Sequence, residues 1–467
     1  MPNDANFALA GNFAPIGREI DAADLPVEGE LPRLLHGTLF RNGPNPQFPP
    51  ADPGRHHWFL GDGMVHAFTL AQGRAFYRNR WVRTGKFLAE RQAGHALSGG
   101  ANGPPGAGAG YQDTGVANTN IVWHGGKLLA LEEGHLPIAL DPATLATRGV
   151  VDFAGAVPPP FTAHPKIDPE TGELIFFGYS ASGPLSSGMT YGTLAADGRV
   201  TRVERFDAPY CSMVHDFAVT ARHVVFPVMP LHGDLARAMR GGLPFVWDPS
   251  LGGFVGLLRR DAGVASLRWL RAESCYVFHV LNAWDEDDGA AVVVDTMQYD
   301  APPLFPRADG RAPPPGENAA TLVRWRIALD GATDAFRQER LDDMVGEFPR
   351  LDERRAGLVN RFGAYAGRSL PERDLDTIAW LDLQRRERTG WTLPPGDATS
   401  EPVFVPRSDT AAEGDGWLLA VIWRGAEERS ELAVLDTQHL AQGPVARVKL
   451  PQRVPFGFHG NWVPAAG

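Results

Sequence analysis

The feature that most limits what this chain can fold into is its repeated alternation of short strand-like runs and tight-turn dipeptides. Asn120-Ile-Val-Trp, Lys127-Leu-Leu-Ala-Leu, Glu173-Leu-Ile-Phe-Phe, His223-Val-Val-Phe, Ala290-Ala-Val-Val-Val and Gly416-Trp-Leu-Leu-Ala-Val-Ile-Trp are all short and rich in β-branched or aromatic residues. Asp141-Pro142, Asp168-Pro169, Asp197-Gly198, Asp288-Gly289, Asp330-Gly331 and Asp415-Gly416 punctuate them. Leu140-Asp-Pro-Ala-Thr-Leu and Ile167-Asp-Pro-Glu-Thr-Gly repeat one strand–turn–strand theme, but no strict period follows, so a WD40-type array is not supported. Irregular antiparallel meanders fit better, and a β-propeller is the leading architecture, with a large β-sandwich second.

Helix is scarce. Gly85–Gly99 and Gly233–Arg240 are the better candidates, with short helices expected near 341–356 and 371–386. Because they interrupt the strand pattern, they are expected to form a cap rather than a layer. The glycine-rich run Gly99–Gly110 reads as a loop. It lacks the strand before and the apolar helix after that a dinucleotide-binding turn requires. No Walker A sequence, G-x-S-x-G elbow or H-E-x-x-H helix is present.

Charge and composition exclude some partners. A net charge of −11 disfavours binding to a phosphate backbone and argues against docking on anionic lipid. No apolar run reaches the roughly 18 residues needed to span a bilayer, which leaves only peripheral membrane contact open. The start of the chain lacks a basic segment followed by an apolar one, so no signal peptide is read there. Two cysteines make no disulfide framework, and a cytoplasmic location is expected. The oligomeric state is not legible.

Of fourteen histidines, His36, His95, His124, His135, His232 and His439 sit in polar loops and read as surface or locally bonded residues. His56 and His57 are neighbours, and on a strand they would face opposite sides and could not share one ion. Four others, in Thr162-Ala-His164-Pro, Met213-Val-His215-Asp, Val277-Phe-His279-Val and Gly457-Phe-His459-Gly, lie in apolar or strand-like settings. A buried imidazole must satisfy both ring nitrogens. A single such residue is more often a hydrogen-bonded core histidine; four also fit a transition-metal set. They are spread from position 164 to position 459, so a shared ion needs several sheets converging, as a propeller's innermost strands do. Cys211 and Cys275 each lie four residues before one of these histidines. On a strand that spacing is ~13 Å, too far for one zinc ion.

Three glutamates stand where a lone charge is costly: Glu133, Glu347 and Glu401. Metal-bound imidazoles usually donate their second N–H to such a carboxylate, although each also reads as a solvated loop residue. Glu132 and Glu133 are adjacent, and the residues alone do not say which faces inward.

Arg41-Asn-Gly-Pro-Asn-Pro, Gly61-Asp-Gly-Met-Val-His, the four histidine segments and Phe458-His-Gly-Asn-Trp-Val-Pro occur in order over nearly the whole chain. Together they resemble the carotenoid cleavage oxygenase family. That resemblance implies an all-β, seven-bladed β-propeller with a cap of loops and short helices, formed by residues 1–467 as one domain. It implies Fe(II) held by His164, His215, His279 and His459, with Glu133, Glu347 and Glu401 behind them; Glu133 is preferred over Glu132 by the family motif. Trp81-Val-Arg-Thr-Gly-Lys-Phe, Ala163-His-Pro-Lys and Leu281-Asn-Ala-Trp are similar to the bacterial branch that cleaves lignostilbenes and propenylphenols. Stilbene cleavers typically place a lysine where this chain has Glu132, and a tyrosine in the region of Gly99–Gly110; those two residues hold the substrate phenol.

The implied activity is O₂-dependent cleavage of a C=C double bond in an apolar conjugated substrate, a carotenoid or apocarotenoid or else a stilbene or phenylpropenoid, giving two carbonyl products. The alternative is a non-catalytic propeller that binds such a molecule. Phe59, Trp123, Phe161, Trp284, Tyr365 and Phe458 are candidates to line an aromatic cleft, against the simpler reading of core packing. Leu243-Pro-Phe-Val-Trp followed by Leu251-Gly-Gly-Phe-Val-Gly-Leu-Leu is a candidate apolar rim, with burial the competing reading.

Overall fold

The computed structural model describes residues 6–97, 115–240, 242–311, 314, 316–329 and 336–465. Seven antiparallel sheets of four to six strands, the blades of a seven-bladed β-propeller, carry the chain, with one further two-stranded hairpin among the described residues. The chain divides into two compact units.

The first unit comprises Met1–Asp152, Arg368–Trp380 and Thr389–Gly467. One of its sheets runs Asp21–Ala22, Arg74–Trp81, Gly63–Ala71, Gly37–Pro44, Gly460–Pro464, so the last strand of the chain pairs with an early one, Phe40 opposite Asn461. Another joins Val27–Gly29 to Ala446–Lys449, Arg429–Asp436 and Gly416–Arg424. Both ends of the chain are thus sewn into sheets. Alternation explains the packing: in Arg74–Trp81, Ala75, Tyr77, Asn79 and Trp81 point inward while the arginines between them reach outward. Tyr77 joins Leu39, Phe68, Leu419 and Val434 in one core.

The second unit comprises Phe153–Gly367 and Leu381–Arg388. Its sheets run Lys166–Ile167, Leu174–Tyr179, Gly188–Leu194, Val200–Asp207; then Ala218–Val219, His223–Val228, Gly253–Arg259, Gly263–Ala272; then Tyr276–Glu286, Ala291–Tyr299, Thr321–Ala328, Arg337–Arg340. Each sheet has a burial gradient. Leu174–Tyr179 and Gly188–Leu194 are buried on both faces, whereas Val200–Asp207 alternates and Arg337–Arg340 is fully exposed. The apolar runs in the sequence are therefore inner strands, and the charged ones are outer edges.

Several expectations are corrected. The segments near 341–356 and 371–386 hold the strands Gly346–Arg350 and Thr377–Asp382, not helices, apart from one 3₁₀ turn at Glu353–Arg355. Thr377-Ile-Ala-Trp is β-prone, and the flanking charges belong to turns. The helix expected at Gly85–Gly99 ends at Ala93, where Gly94 takes φ 76° and closes it; Thr84 Oγ1 caps its start by accepting the Phe87 N–H at 3.1 Å. The second helix is only Leu235–Met239. The loop Gly99–Gly110 lies outside the described residues. His57 is not on a strand; its Nδ1 accepts the Phe59 N–H at 3.3 Å and caps the turn Trp58–Leu60.

Candidate metal centre

Three of the four singled-out histidines sit at the start of, or within, the first strand of a sheet in the second unit. His164 lies just before Lys166–Ile167; its N–H donates to Thr162 Oγ1 at 2.9 Å, and the Thr162 N–H is bonded to Phe177 O at 2.8 Å. His215 lies just before Ala218–Val219. His279 lies inside Tyr276–Glu286, where the register with Ala291–Tyr299 slips between Val277 and Val280. Such a bulge re-aims a side chain, and the Thr296 hydroxyl fixes it by donating to His279 O at 2.9 Å. The rings converge: centroids are 4.6 Å apart for His164 and His215, and 5.2 Å for each with His279. The Nε2 atoms of His164 and His215 approach to 3.0 Å.

Glu347 sets the third ring. Its Oε2 accepts the His279 Nδ1–H at 2.5 Å and the Phe348 N–H at 2.6 Å. A carboxylate has no proton to give, so the proton rests on Nδ1 and Nε2 keeps its lone pair. Phe348 adopts φ 58° immediately before Pro349, and its ring stacks on His279 at 5.4 Å and 28°. A left-handed non-glycine residue costs about 1–3 kcal/mol; here it aims both Glu347 and the Phe348 ring at one imidazole.

His459 lies in the first unit, just before Gly460–Pro464. Glu401 Oε1 accepts its Nδ1–H at 2.9 Å, and Oε2 accepts the Gly460 N–H at 2.8 Å. The backbone around it is tightly packed: a Cβ on Gly43 would lie 2.6 Å from Gly457 Cα, and one on Gly457 would lie 2.9 Å from Asn42 O. Behind Glu401 lies buried Arg41, whose pKa burial pushes down to about 10 although the Glu401 charge pulls it up. Burial and Arg41 together hold His66 near pKa 3, with His66 Nδ1 2.8 Å from Tyr77 Oη.

The ligand nitrogens of His164, His215, His279 and His459 all lie within 4.8 Å of one another. Four imidazoles whose nitrogens converge in this way form a donor set for a borderline transition metal, not for calcium or magnesium. The residues present therefore fit a bound metal ion. Neither cysteine joins them: Cys211 Sγ lies 3.7 Å from Ser180 Oγ, and Cys275 Sγ lies 3.8 Å from Met229 Sδ, its thiol pushed up to about 12 by burial.

Glu133 is half-buried in the bend after Lys127–Leu131. Its neighbour Glu132 accepts the Val116 N–H at 3.1 Å and lies 2.5 Å from His135 Nδ1, so His135 is locally bonded, as expected. Phe59 and Phe458 do meet, at 5.5 Å, in a cluster with Trp58, Phe456 and Phe13, and Phe458 is the residue before His459. Phe161 stacks on Phe176 at 4.6 Å, Trp284 lies under Arg324, and the Tyr365 hydroxyl donates to Asp342 at 2.6 Å; all three are packing residues. Trp123 is 40% exposed. Phe245, Val246 and Trp247 are buried, as the competing reading has it. Sequence reasoning missed Asp216 and Lys166, which form a 2.8 Å ion pair beside the ligands. Their signal was adjacency to His215 and near-adjacency to His164.

A β-propeller whose four clustered histidines fit a transition metal defines a class of metal-binding propeller. The family model described as retinal pigment epithelial membrane protein (RPE65) matches residues 13–464. The chain is 40% identical to isoeugenol monooxygenase of Pseudomonas nitroreducens, over 98% of each chain. It is 35% identical to lignostilbene-α,β-dioxygenase isozyme III of Sphingomonas paucimobilis, over 98% of this chain and 97% of that one. The crystal structure of Pseudomonas brassicacearum lignostilbene dioxygenase superposes with a TM-score of 0.94 at 37% identity, covering 100% of both chains. The chain belongs to the RPE65/carotenoid oxygenase family, and it is an enzyme of the carotenoid-cleavage oxygenase type. Among the described residues, no helix is long and apolar enough to cross a membrane.

Proposed function

We propose that this chain, acting as a single domain of residues 1–467 in the cytoplasm, uses Fe(II) and O₂ to cleave the side-chain double bond of a phenylpropenoid or stilbene into two carbonyl products. His164, His215, His279 and His459 would hold the iron, with Glu133, Glu347 and Glu401 steadying the rings. The observation that carries this reading is the cluster of four histidine nitrogens, two of whose rings are oriented by buried carboxylates. Iron, when bound, supplies the chemistry that activates O₂. The protein's own residues do the rest. Glu347 and Glu401 keep the Nδ1 protons in place, so Nε2 faces inward as a neutral donor. Neutral ligands leave the metal its full charge, which suits O₂ and an uncharged alkene. The aromatic cluster of Trp58, Phe59 and Phe458 offers flat apolar surface to an aryl ring and excludes water. The relatives' names favour arylalkenes over apocarotenoids as the first substrates to try.

The test is product analysis. The Fe(II)-loaded chain is incubated in air with isoeugenol, a 4-hydroxystilbene, 4-vinylguaiacol and an apocarotenal. Paired carbonyl products from an arylalkene are expected. Tight binding of every compound without O₂ uptake would instead make the chain a carrier.

A further inference from the structure

The second unit contains a charged clamp that no part of the metal reading requires. Asp216 follows His215 directly, and its side chain is 2% exposed. Its Oδ1 accepts the Phe217 N–H at 2.8 Å and lies 2.8 Å from Lys166 Nζ. Its Oδ2 accepts the Val280 N–H, also at 2.8 Å. Lys166 is two residues beyond His164, and Val280 is the residue after His279. One carboxylate therefore contacts all three histidine-bearing segments of this unit. The Lys166 ammonium also lies 5.9 Å from the centre of the Phe217 ring.

Geometry explains why such a clamp is needed. His164 and His215 lie outside regular strand, and His279 lies at a register slip. None of the three segments has a continuous ladder to fix its distance from the other two. The Val280 N–H lies at that slip, and a buried amide without an acceptor is costly. Asp216 supplies the acceptor, and Lys166 balances the charge thereby buried. A change at either residue lets three ring positions relax together.

We propose that Asp216 and Lys166 are positioning residues: their ion pair sets the mutual spacing of His164, His215 and His279 and so the strength and geometry of metal binding. This rests on the reading that those histidines hold a metal. Its consequence is specific. The pair should matter more to the metal than to the fold, because its bonds join ligand segments rather than core layers.

The experiment titrates the metal-free full-length chain with Co(II), whose visible bands report ligand number and symmetry. Asp216→Asn keeps the shape and an acceptor for Val280 but loses the charge pairing. Lys166→Met keeps the stem and loses the cation. Arg307→Met is the control: it breaks the Arg307–Glu317 ion pair of 2.8 Å, which touches no ligand segment. The expected result is Co(II) binding weakened about 10-fold or more in Asp216→Asn and Lys166→Met, the range seen for groups behind metal ligands. Altered visible bands should accompany it, with Arg307→Met like the unmodified chain in both. Unchanged affinity and bands in Lys166→Met, or equal changes in Arg307→Met, overturn the proposal. Lys166→Met decides alone if Asp216→Asn does not fold, since Lys166 is partly exposed. If the unmodified chain binds no Co(II), the metal reading fails first, a different outcome from variants that match it.

Discussion

At the scale of single residues, the site depends on charges placed where water cannot reach. Glu347 and Glu401 each accept an imidazole Nδ1–H and a backbone N–H. Replacing either with glutamine leaves an acceptor but removes the charge that makes the imidazole a better donor to metal. Metal affinity should fall about 10–100-fold, read by Fe(II) or Co(II) titration, with little change in the unfolding of the metal-free chain. His66 yields a different prediction. Folded, it stays neutral down to about pH 3, held there by burial and Arg41. Unfolded, it takes up a proton below about pH 6.5. The unfolded state therefore gains protons first, and His66 costs stability as pH falls from about 6.5 towards 3, with no effect above that window. The slope approaches about 1.4 kcal/mol per pH unit. His66→Gln should lose this slope, and comparing urea midpoints at pH 7 and 4.5 for the two proteins checks it. An unchanged difference between the two pH values in the variant would assign the acid sensitivity elsewhere.

At the scale of elements, the inner strands and their irregularities do the placing. The β-branched runs were readable because inner strands are buried on both faces, and they gave Asn120–His124, Lys127–Leu131, His223–Val228 and Gly416–Arg424 with small boundary errors. The histidines stood out because each lay in an apolar setting. Three things were not legible. Short helices are expected near 341–356 and 371–386, yet Gly346–Arg350 and Thr377–Asp382 are strands because tertiary packing outweighs weak local preference. The strained turn at Phe348 leaves no local trace, because a phenylalanine at φ 58° violates its own preference and is held there by the surrounding structure. Asp216 was passed over because its partners, Lys166 and Val280, are distant in the chain. The glycine contact beside His459 tests the element scale. Gly457→Ala would bring a Cβ to 2.9 Å from Asn42 O. Overpacking of this kind costs about 1–3 kcal/mol, and the displacement falls on the residues next to His459. Thermal unfolding and metal affinity should both drop. A variant that unfolds earlier but binds metal normally would show that the contact serves only stability.

At the scale of the whole molecule, closure is the feature with most consequence. Gly460–Pro464 pairs with Gly37–Pro44, and Val27–Gly29 pairs with Ala446–Lys449, so the two ends of the chain complete each other's sheets. Deleting residues 460–467 removes a sheet's edge strand and the Gly460 N–H that anchors Glu401. The truncated chain should melt about 2 °C or more lower, which for a protein this large corresponds to about 2 kcal/mol or more. Differential scanning calorimetry reads it, and an unchanged melting temperature would mean that the pairing contributes nothing to closure. The proposed activity belongs to this scale too: four histidines from widely separated segments would make one iron site that turns O₂ on an alkene. The direct measurement is iron content and arylalkene-dependent O₂ uptake, taken on the same preparations of the unmodified chain and of His164→Ala. The account predicts about one iron per unmodified chain, with iron and O₂ uptake lost together in the variant. Full O₂-dependent cleavage by a preparation free of iron would contradict it.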